Sequence, residues 1–314
     1  MSEHDLLRLR VRETEMIAPT LRRVVFEAAD GTSLPSFGPG AHLLLHLQGE
    51  TRRWKNAYSL ACPPGHQPQW QIIVRRTTAS RGGSALVHQA LREGDIVRAA
   101  APQSLLPIMA TARRHLLLAA GIGLTPFLSF LPQLQQIHAA WELHHIARAD
   151  EADAFAALLA DHPGAHRHIG RAAFDAVAVL ARQKLGTHLY VCGPAGFMDD
   201  MLSVARRLGW PENRLHRESF GTASTGTPFR ADLARSGITL NIAADQTLLE
   251  AIEDAGIDAP SLCRGGACGV CRTTVLDGEV EHFDHVLTPT ERAANHTMMP
   301  CVSRARAAHL VLDI

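Results

Sequence analysis

Three cysteines fall within nine residues, in CRGGACGVC from Cys263 to Cys271, and a fourth, Cys301, follows after 29 intervening residues. The order is Cys263, four residues, Cys268, two residues, Cys271, then the distant Cys301. This is the plant-type ferredoxin spacing of a [2Fe-2S] site. Each iron takes two thiolates, so a short loop must wrap the cluster tightly. Gly265, Gly266 and Gly269 allow backbone angles closed to other residues. They also let amide N–H groups approach sulfides whose negative charge needs donors. Arg264 places a positive charge beside them. Four cysteines also suit zinc, whose usual sites pair two short-spaced knuckles. Here a tight loop of three faces one distant partner. Burial as small hydrophobes is the bland alternative.

The remaining sequence gives this loop its setting. The 314-residue chain has room for two or three domains. It is 46% hydrophobic and 20% charged, an ordinary globular composition. Acids and bases balance at 31 each, which gives no global case for nucleic acid or an anionic membrane. The charged start MSEHDLLRLRVRETE is unlike a signal peptide. No run of about 18 apolar residues predicts a membrane span. The expectation is a cytoplasmic protein in which disulfides are disfavoured.

Three textures follow along the chain. Through residues 1–108, LRRVVFEA, AHLLLHL, NAYSLA and WQIIVRR read as strands between Pro and Gly turns. One helix, SALVHQALREG, carries Leu86, Ala90 and Leu91 on one face, with Ser84 as N-cap and Gly94 as stop. That pattern predicts a small antiparallel β-barrel. Residues 109–222 change to a βα rhythm, with strands HLLLAA, WELHHIAR and HLYVCG alternating with helices, and predict an α/β domain with a parallel sheet. The histidines of HLYV and ELHHIA are expected at solvated or interface positions, and the 18 histidines show no metal spacing. Gly221 to Pro228 reads as a linker. Residues 229–314 hold the four spaced cysteines, with strands ITLNIA and HLVLDI and the helix TLLEAIEDAG.

With these motifs in this order, the chain resembles the phthalate dioxygenase reductase family, reductases of Rieske-type oxygenases. The resemblance spans essentially the whole chain. It implies a multidomain protein: an FMN-binding β-barrel at 1–108, an NAD-binding domain at 109–222 and an α+β, β-grasp ferredoxin domain at 229–314. The segment Asn56, Ala57, Tyr58, Ser59 and Leu60 matches the family's flavin strand, whose usual form is Arg-x-Tyr-Ser-Leu. Tyr58 would lie against the flavin and Ser59 beside its redox edge. Asn56 cannot supply the phosphate-facing charge of the family arginine. Carnitine monooxygenase reductases share Asn-Ala-Tyr-Ser-Leu. Arg81, Gly82, Gly83 and Ser84 open the barrel helix, where free N–H groups favour an anion, and are the candidate phosphate site. In the family Ile73, Val74 and Arg75 contact the flavin, and Phe220 of HRESF stacks near it. An apolar strand core and an interface plug are the bland readings of these groups.

The loop AAGIGLTPF is similar to the superfamily's Gly-Gly-Ile-Gly-Ile-Thr-Pro, with Ala120 for the first glycine. Gly121 and Gly123 would admit the dinucleotide pyrophosphate, Thr125 would hydrogen-bond it, and Pro126 starts the helix. Cys192, Gly193 and Pro194 end a later strand, where ligands bind in open parallel sheets. The family places that cysteine near the nicotinamide, whereas a buried hydrophobe is the bland reading. Arg148 falls where the family contacts the adenosine ribose. Asp150 and Glu151 beside it favour NADH over NADPH. Cys62 reads as structural.

The resemblance implies a monomeric, NADH-dependent oxidoreductase with Ser59, Cys192 and Phe220 nearest the chemistry. Electrons would pass from NADH to FMN, to a [2Fe-2S] cluster on Cys263, Cys268, Cys271 and Cys301, and on to a Rieske-type terminal oxygenase. Plant-type clusters lie near about −400 mV and Rieske centres at about −150 to +300 mV. A gap of roughly 250 mV favours the forward transfer by ~10⁴. Two other readings stand beside this one. One is an FAD-containing reductase of a diiron monooxygenase, which more often carries its ferredoxin domain first. The other is a non-enzymatic iron–sulfur sensor or binding module.

Overall fold

The computed structural model describes residues 6–49, 52–77, 80–220 and 225–314, and element counts refer to these. The chain divides into two compact units, one reaching to Glu218 and the other running from Ser219 to Ile314. The linker read at Gly221 to Pro228 falls in part outside the described residues, at 221–224.

In the first unit, strands β1 (Leu7–Ala18), β2 (Leu21–Ala28), β3 (Ala41–Gln48), β4 (Arg53–Ser59), β5 (Trp70–Arg75) and β6 (Ile96–Ala99) form an antiparallel sheet. Its order is β4-β3-β6-β1-β2-β5, and the short β7 (Gln103–Ser104) adds to β3. A bridge between Leu60 and Ile72 brings the two ends together. Leu9, Phe26, Leu43, Leu45 and Trp70 fill the interior. β1 escapes the sequence reading because its alternate residues are charged, yet Leu9 and Val11 are fully inside.

Helix α1 (Gly83–Gln89) corrects two expectations. Gly82, not Ser84, is the N-cap, because its φ of 131° makes the turn that a side chain would resist. Val87 is the inward residue with Leu91, while Ala90 is exposed.

The same unit continues into a parallel sheet of order β10-β9-β8-β11-β12. The strands are β8 (Arg114–Ala120), β9 (Trp141–Ala147), β10 (Ala165–Ile169), β11 (Thr187–Cys192) and β12 (Leu215–Glu218). Helices α2 (Thr125–Gln136) and α3 (Ala152–Leu158) share one apolar core with the sheet; α4 (Ala176–Ala181) and α5 (Ala195–Arg207) share another. Leu21, Ala61, Ile73 and Leu106 from the barrel segment pack into the first of these cores with Leu117, Phe127 and Phe130. The Gly40 N–H also donates to Ser129 Oγ at 2.8 Å. Barrel and parallel sheet are thereby joined.

The sheet histidines are not solvated, contrary to expectation. His115, His144, His145 and His188 are all at most 7% exposed. They sit among stacked rings, with His188 against His216 and Tyr190 against His216. One group, Glu142, His144 and His166, has metal-like proximity. Glu142 there already pairs with Arg114 and Arg182, so positive charge fills the site.

In the second unit, β13 (Phe229–Leu233), β14 (Ile238–Ile242), β15 (Thr273–Asp277), β17 (Thr297–Met298) and β19 (His309–Leu312) make a mixed sheet of order β14-β13-β19-β15-β17. β16 (Val280–Glu281) pairs with β18 (Arg304–Ala305). Helix α6 (Leu248–Asp254) lies against the core under a Thr247–Glu250 capping box, and α7 (Pro289–Ala294) carries a second. No helix among the described residues is long and apolar enough to cross a membrane.

The buried histidines make stability depend on pH. Burial pushes His145 down to about 4, and burial with His188 and His216 nearby pushes His115 to about 4. Between about 6.5 and 4 the unfolded chain therefore binds protons that the folded chain excludes, so stability falls as pH drops through that window. His145 alone should cost about 2 kcal/mol at pH 5. Urea unfolding followed by circular dichroism should show the loss between pH 7 and pH 5.

Candidate functional site

The cysteine loop follows α6. Cys271 Sγ lies 3.3 Å from Cys301 Sγ. Cys263 contacts Cys268 and Cys301. All four thiols therefore gather, and no disulfide joins them. Amides of Gly265 and Ala267 point at Cys263 Sγ at 3.4 and 3.3 Å. Contacts with Cys268 and Cys301, helped by those amides, lower the Cys263 pKa. This donor set fits a thiolate-bound cluster, with N–H groups aimed at sulfur. Gly266, at φ 70°, has no room for a side chain: a Cβ would stand 2.7 Å from Val302.

Arg264 does something the sequence did not reveal. It holds a left-handed φ of 51°, and its side chain is only 7% exposed. Both terminal nitrogens reach Glu253 on α6, at 2.8 and 2.7 Å. The loop is thus pinned to the helix before it. Asp284 braces the other side, accepting from the Val286 and Leu287 amides while the His285 amide donates to the Gly266 carbonyl.

In the first unit, β4 carries the expected flavin strand. Asn56 Nδ2 donates to the Tyr58 hydroxyl at 3.1 Å, and Tyr58 packs on the barrel core. Burial raises the Tyr58 pKa, so it stays a neutral phenol. Ser59 is 4% exposed, and its hydroxyl has no hydrogen-bond partner among the described residues. A buried donor without a partner is costly, and a polar group bound there would relieve it. Asn56 also abuts α1: a Cβ on Gly83 would fall 2.3 Å from Asn56 Nδ2. Gly82 is pressed in the same way on Trp54, over which Arg81 lies at 6.0 Å. The Ser80 and Ser84 hydroxyls pair at 2.8 Å. Asn56, Tyr58 and the segment 81–84 thus come together. Ile73 and Val74 are both buried in β5, Val74 in the barrel core with Tyr58 and Ile73 in the core shared with the parallel sheet, whereas Arg75 turns to Glu151 at 3.0 Å.

The second motif lies at the C-terminal end of β8. Gly121 to Leu124 form a 3-10 turn leading into α2. Gly123 is wedged on β11, where a Cβ would stand 2.3 Å from the Cys192 carbonyl oxygen. Gly193 packs on Ala120 and Phe197, and Pro194 is the N-cap of α5. The Thr125 hydroxyl donates to the Ile122 carbonyl at 3.0 Å, and Pro126 follows within α2. Cys192 is fully buried, which pushes its thiol pKa up and leaves it protonated. Arg148 is exposed and forked onto Asp150. Phe220 is 38% exposed and belongs to the other compact unit. Cys62 is half-buried, and burial raises its thiol to about 11.

Known proteins match this arrangement along its full length. The chain is 44% identical to the heme-dependent oxidative N-demethylase beta subunit of Ectopseudomonas mendocina (strain ymp), over 98% of this chain and 99% of that one. It is 36% identical to the carnitine monooxygenase reductase subunit of Escherichia coli (strain K12), covering 100% of both. The solved structure of phthalate dioxygenase reductase superposes with a TM-score of 0.88 at 34% identity, covering 99% of each chain. The chain belongs to the phthalate dioxygenase reductase family. The profile of the 2Fe-2S iron–sulfur cluster binding domain matches residues 231–306 of this reductase. That of the dimethylamine monooxygenase subunit DmmA-like N-terminal domain matches residues 97–215. The reductase is thus an oxidoreductase component of an oxygenase system, built for electron transfer from NADH through flavin to [2Fe-2S].

Glu253 tests the cluster loop. Glu253→Ala leaves the Arg264 guanidinium buried without its anion, a change that costs about 3–5 kcal/mol at buried pairs. The purified variant should hold less iron per chain and lose its visible absorption at a lower temperature than wild type, while residues 6–218 keep their melting transition.

Proposed function

We propose that this reductase takes electrons from NADH at the Gly121–Pro126 loop, passes them through FMN at the β4–β5–α1 end of the barrel, and delivers them singly through its cluster to a terminal oxygenase. When bound, FMN supplies the change from two-electron to one-electron chemistry, and the cluster carries single electrons. The residues supply geometry. Ser59 would offer its unpartnered hydroxyl to the flavin edge, with the backbone of Ala57 on β4 and of Ile73 and Val74 on β5 bordering the ring. Arg81, Gly82, Gly83 and Ser84 would hold the phosphate in place of the family arginine, while Asn56 fixes Tyr58. Gly121 and Gly123 would admit the pyrophosphate, with Thr125 and Pro126 shaping the turn. The backbone of Cys192, Gly193 and Pro194 would border the nicotinamide, and Arg148 the adenosine ribose. Cys263, Cys268, Cys271 and Cys301 would bind the two irons.

The observation that carries this reading is the gathering of four thiols in one unit of a chain whose other unit has a flavin-type barrel sharing a core with an NAD-type sheet. The acceptor we propose is a Rieske-type oxygenase acting on a quaternary ammonium compound, supported by the NAYSL strand and the carnitine monooxygenase reductase relative. A haem-dependent oxygenase is the second reading. It is favoured by the heme-dependent oxidative N-demethylase beta subunit at 44% identity.

Anaerobic NADH should bleach both the flavin and the iron–sulfur absorption of the purified protein without a mediator. A colourless protein holding one zinc per chain overturns the proposal. Ser59→Ala should retain flavin and slow its bleaching by about tenfold, the worth of one hydrogen bond. Mixing the reduced protein with a purified Rieske or haem oxygenase component and following each centre's own spectrum decides the acceptor.

A further inference from the structure

Glu151 lies where the chain leaves β9 for α3, and its side chain is wholly buried. One carboxylate oxygen takes Arg75 Nε at 3.0 Å and also the Thr20 hydroxyl. The other is buried and has no partner among the described residues. Both partners come from the barrel. Arg75 ends β5, and Thr20 sits in the β1–β2 turn next to it, where its carbonyl accepts from the Arg76 N–H at 2.9 Å. The far end of the Arg75 guanidinium stands over Gly121, so close that a Cβ there would meet Nη1 at 3.2 Å. The Gly121 carbonyl accepts from His145 Nε2 at 2.9 Å, since the neutral ring can donate from that nitrogen. The loop is thus held by β9, by β11 at Gly123, and by the barrel through Arg75.

We propose that Glu151 is a positioning residue for flavin reduction. It locks Arg75, and Arg75 sets the separation between the dinucleotide loop and the strand bearing Ile73 and Val74. The proposal rests on the flavin and NADH placement given above. A buried carboxylate with one oxygen unsatisfied is a poor choice for stability alone. It suits a role in which fixed geometry matters, because an error of about 1 Å between reacting groups costs about 10²-fold in rate.

The test uses the full-length holoprotein. In Glu151→Gln, the stopped-flow rate constant for flavin bleaching by NADH should fall about 30–100-fold. Flavin per chain and NAD⁺ affinity by calorimetry should stay within about twofold of wild type, as a pure positioning loss requires. The long-wavelength charge-transfer absorption formed on mixing with NADH should weaken. Arg75→Lys, which keeps the charge and loses the fork, should be faster than Arg75→Met. A bleaching rate within about threefold of wild type overturns the proposal, as does a loss matched by an equal fall in NAD⁺ affinity. If Glu151→Gln does not fold, Thr20→Val removes one hydroxyl only. A slower rate at unchanged affinity then supports the clamp, and an unchanged rate overturns it. Wild-type protein that NADH does not bleach refutes the functional reading; a bleached wild type with an indifferent Glu151→Gln refutes only the clamp.

Discussion

Leu21, Ala61, Ile73 and Leu106 are barrel residues that spend their hydrophobic surface outside the barrel. They pack with Leu117, Phe127 and Phe130 of the parallel-sheet half, and the rest of the first unit depends on that shared interior. A sheet that buries both faces needs helices on each side. Here α2 serves the sheet and the barrel together, since Ser129 holds the Gly40 amide while Phe130 fills the space beside Gly40. Two halves joined by a common core cannot rock freely. The Gly121–Pro126 loop and strands β4 and β5 are therefore parts of one frame.

The second unit solves a different problem. Four thiols brought close repel one another once ionised, so the loop carrying three of them needs support from outside. Arg264 supplies it by reaching back to Glu253, and Asp284 supplies it from the far side through backbone amides. A local cysteine pattern thus requires residues well outside the pattern.

Much of this was legible in the chain. The cysteine spacing and GIGLTP announced loops and NAYSL a strand, because gathered thiols, tight glycine turns and extended backbone each demand particular residues at particular offsets. β2, β3, β5, β8 and β11 also announced themselves, because their apolar runs are unbroken or cleanly punctuated. β1 did not, since its charged residues face solvent and mask a buried Leu9 and Val11. Nor did the histidines of β8, β9 and β11, buried against rings such as Tyr190 for His115, His166 for His144 and His216 for His188 on other strands. Glu151 read as a surface acid near a ribose. Only the folded chain brings Thr20 and Arg75 around it.

The contact between Asn56 and Gly83 has a consequence for substitution at the helix start. With 2.3 Å between the amide nitrogen and the place a Cβ would occupy, any side chain at 83 would press on Asn56. The two positions are therefore coupled: a larger residue at 83 needs the Asn56 side chain or the helix start to shift, so the close approach of β4 and α1 depends on a bare backbone there.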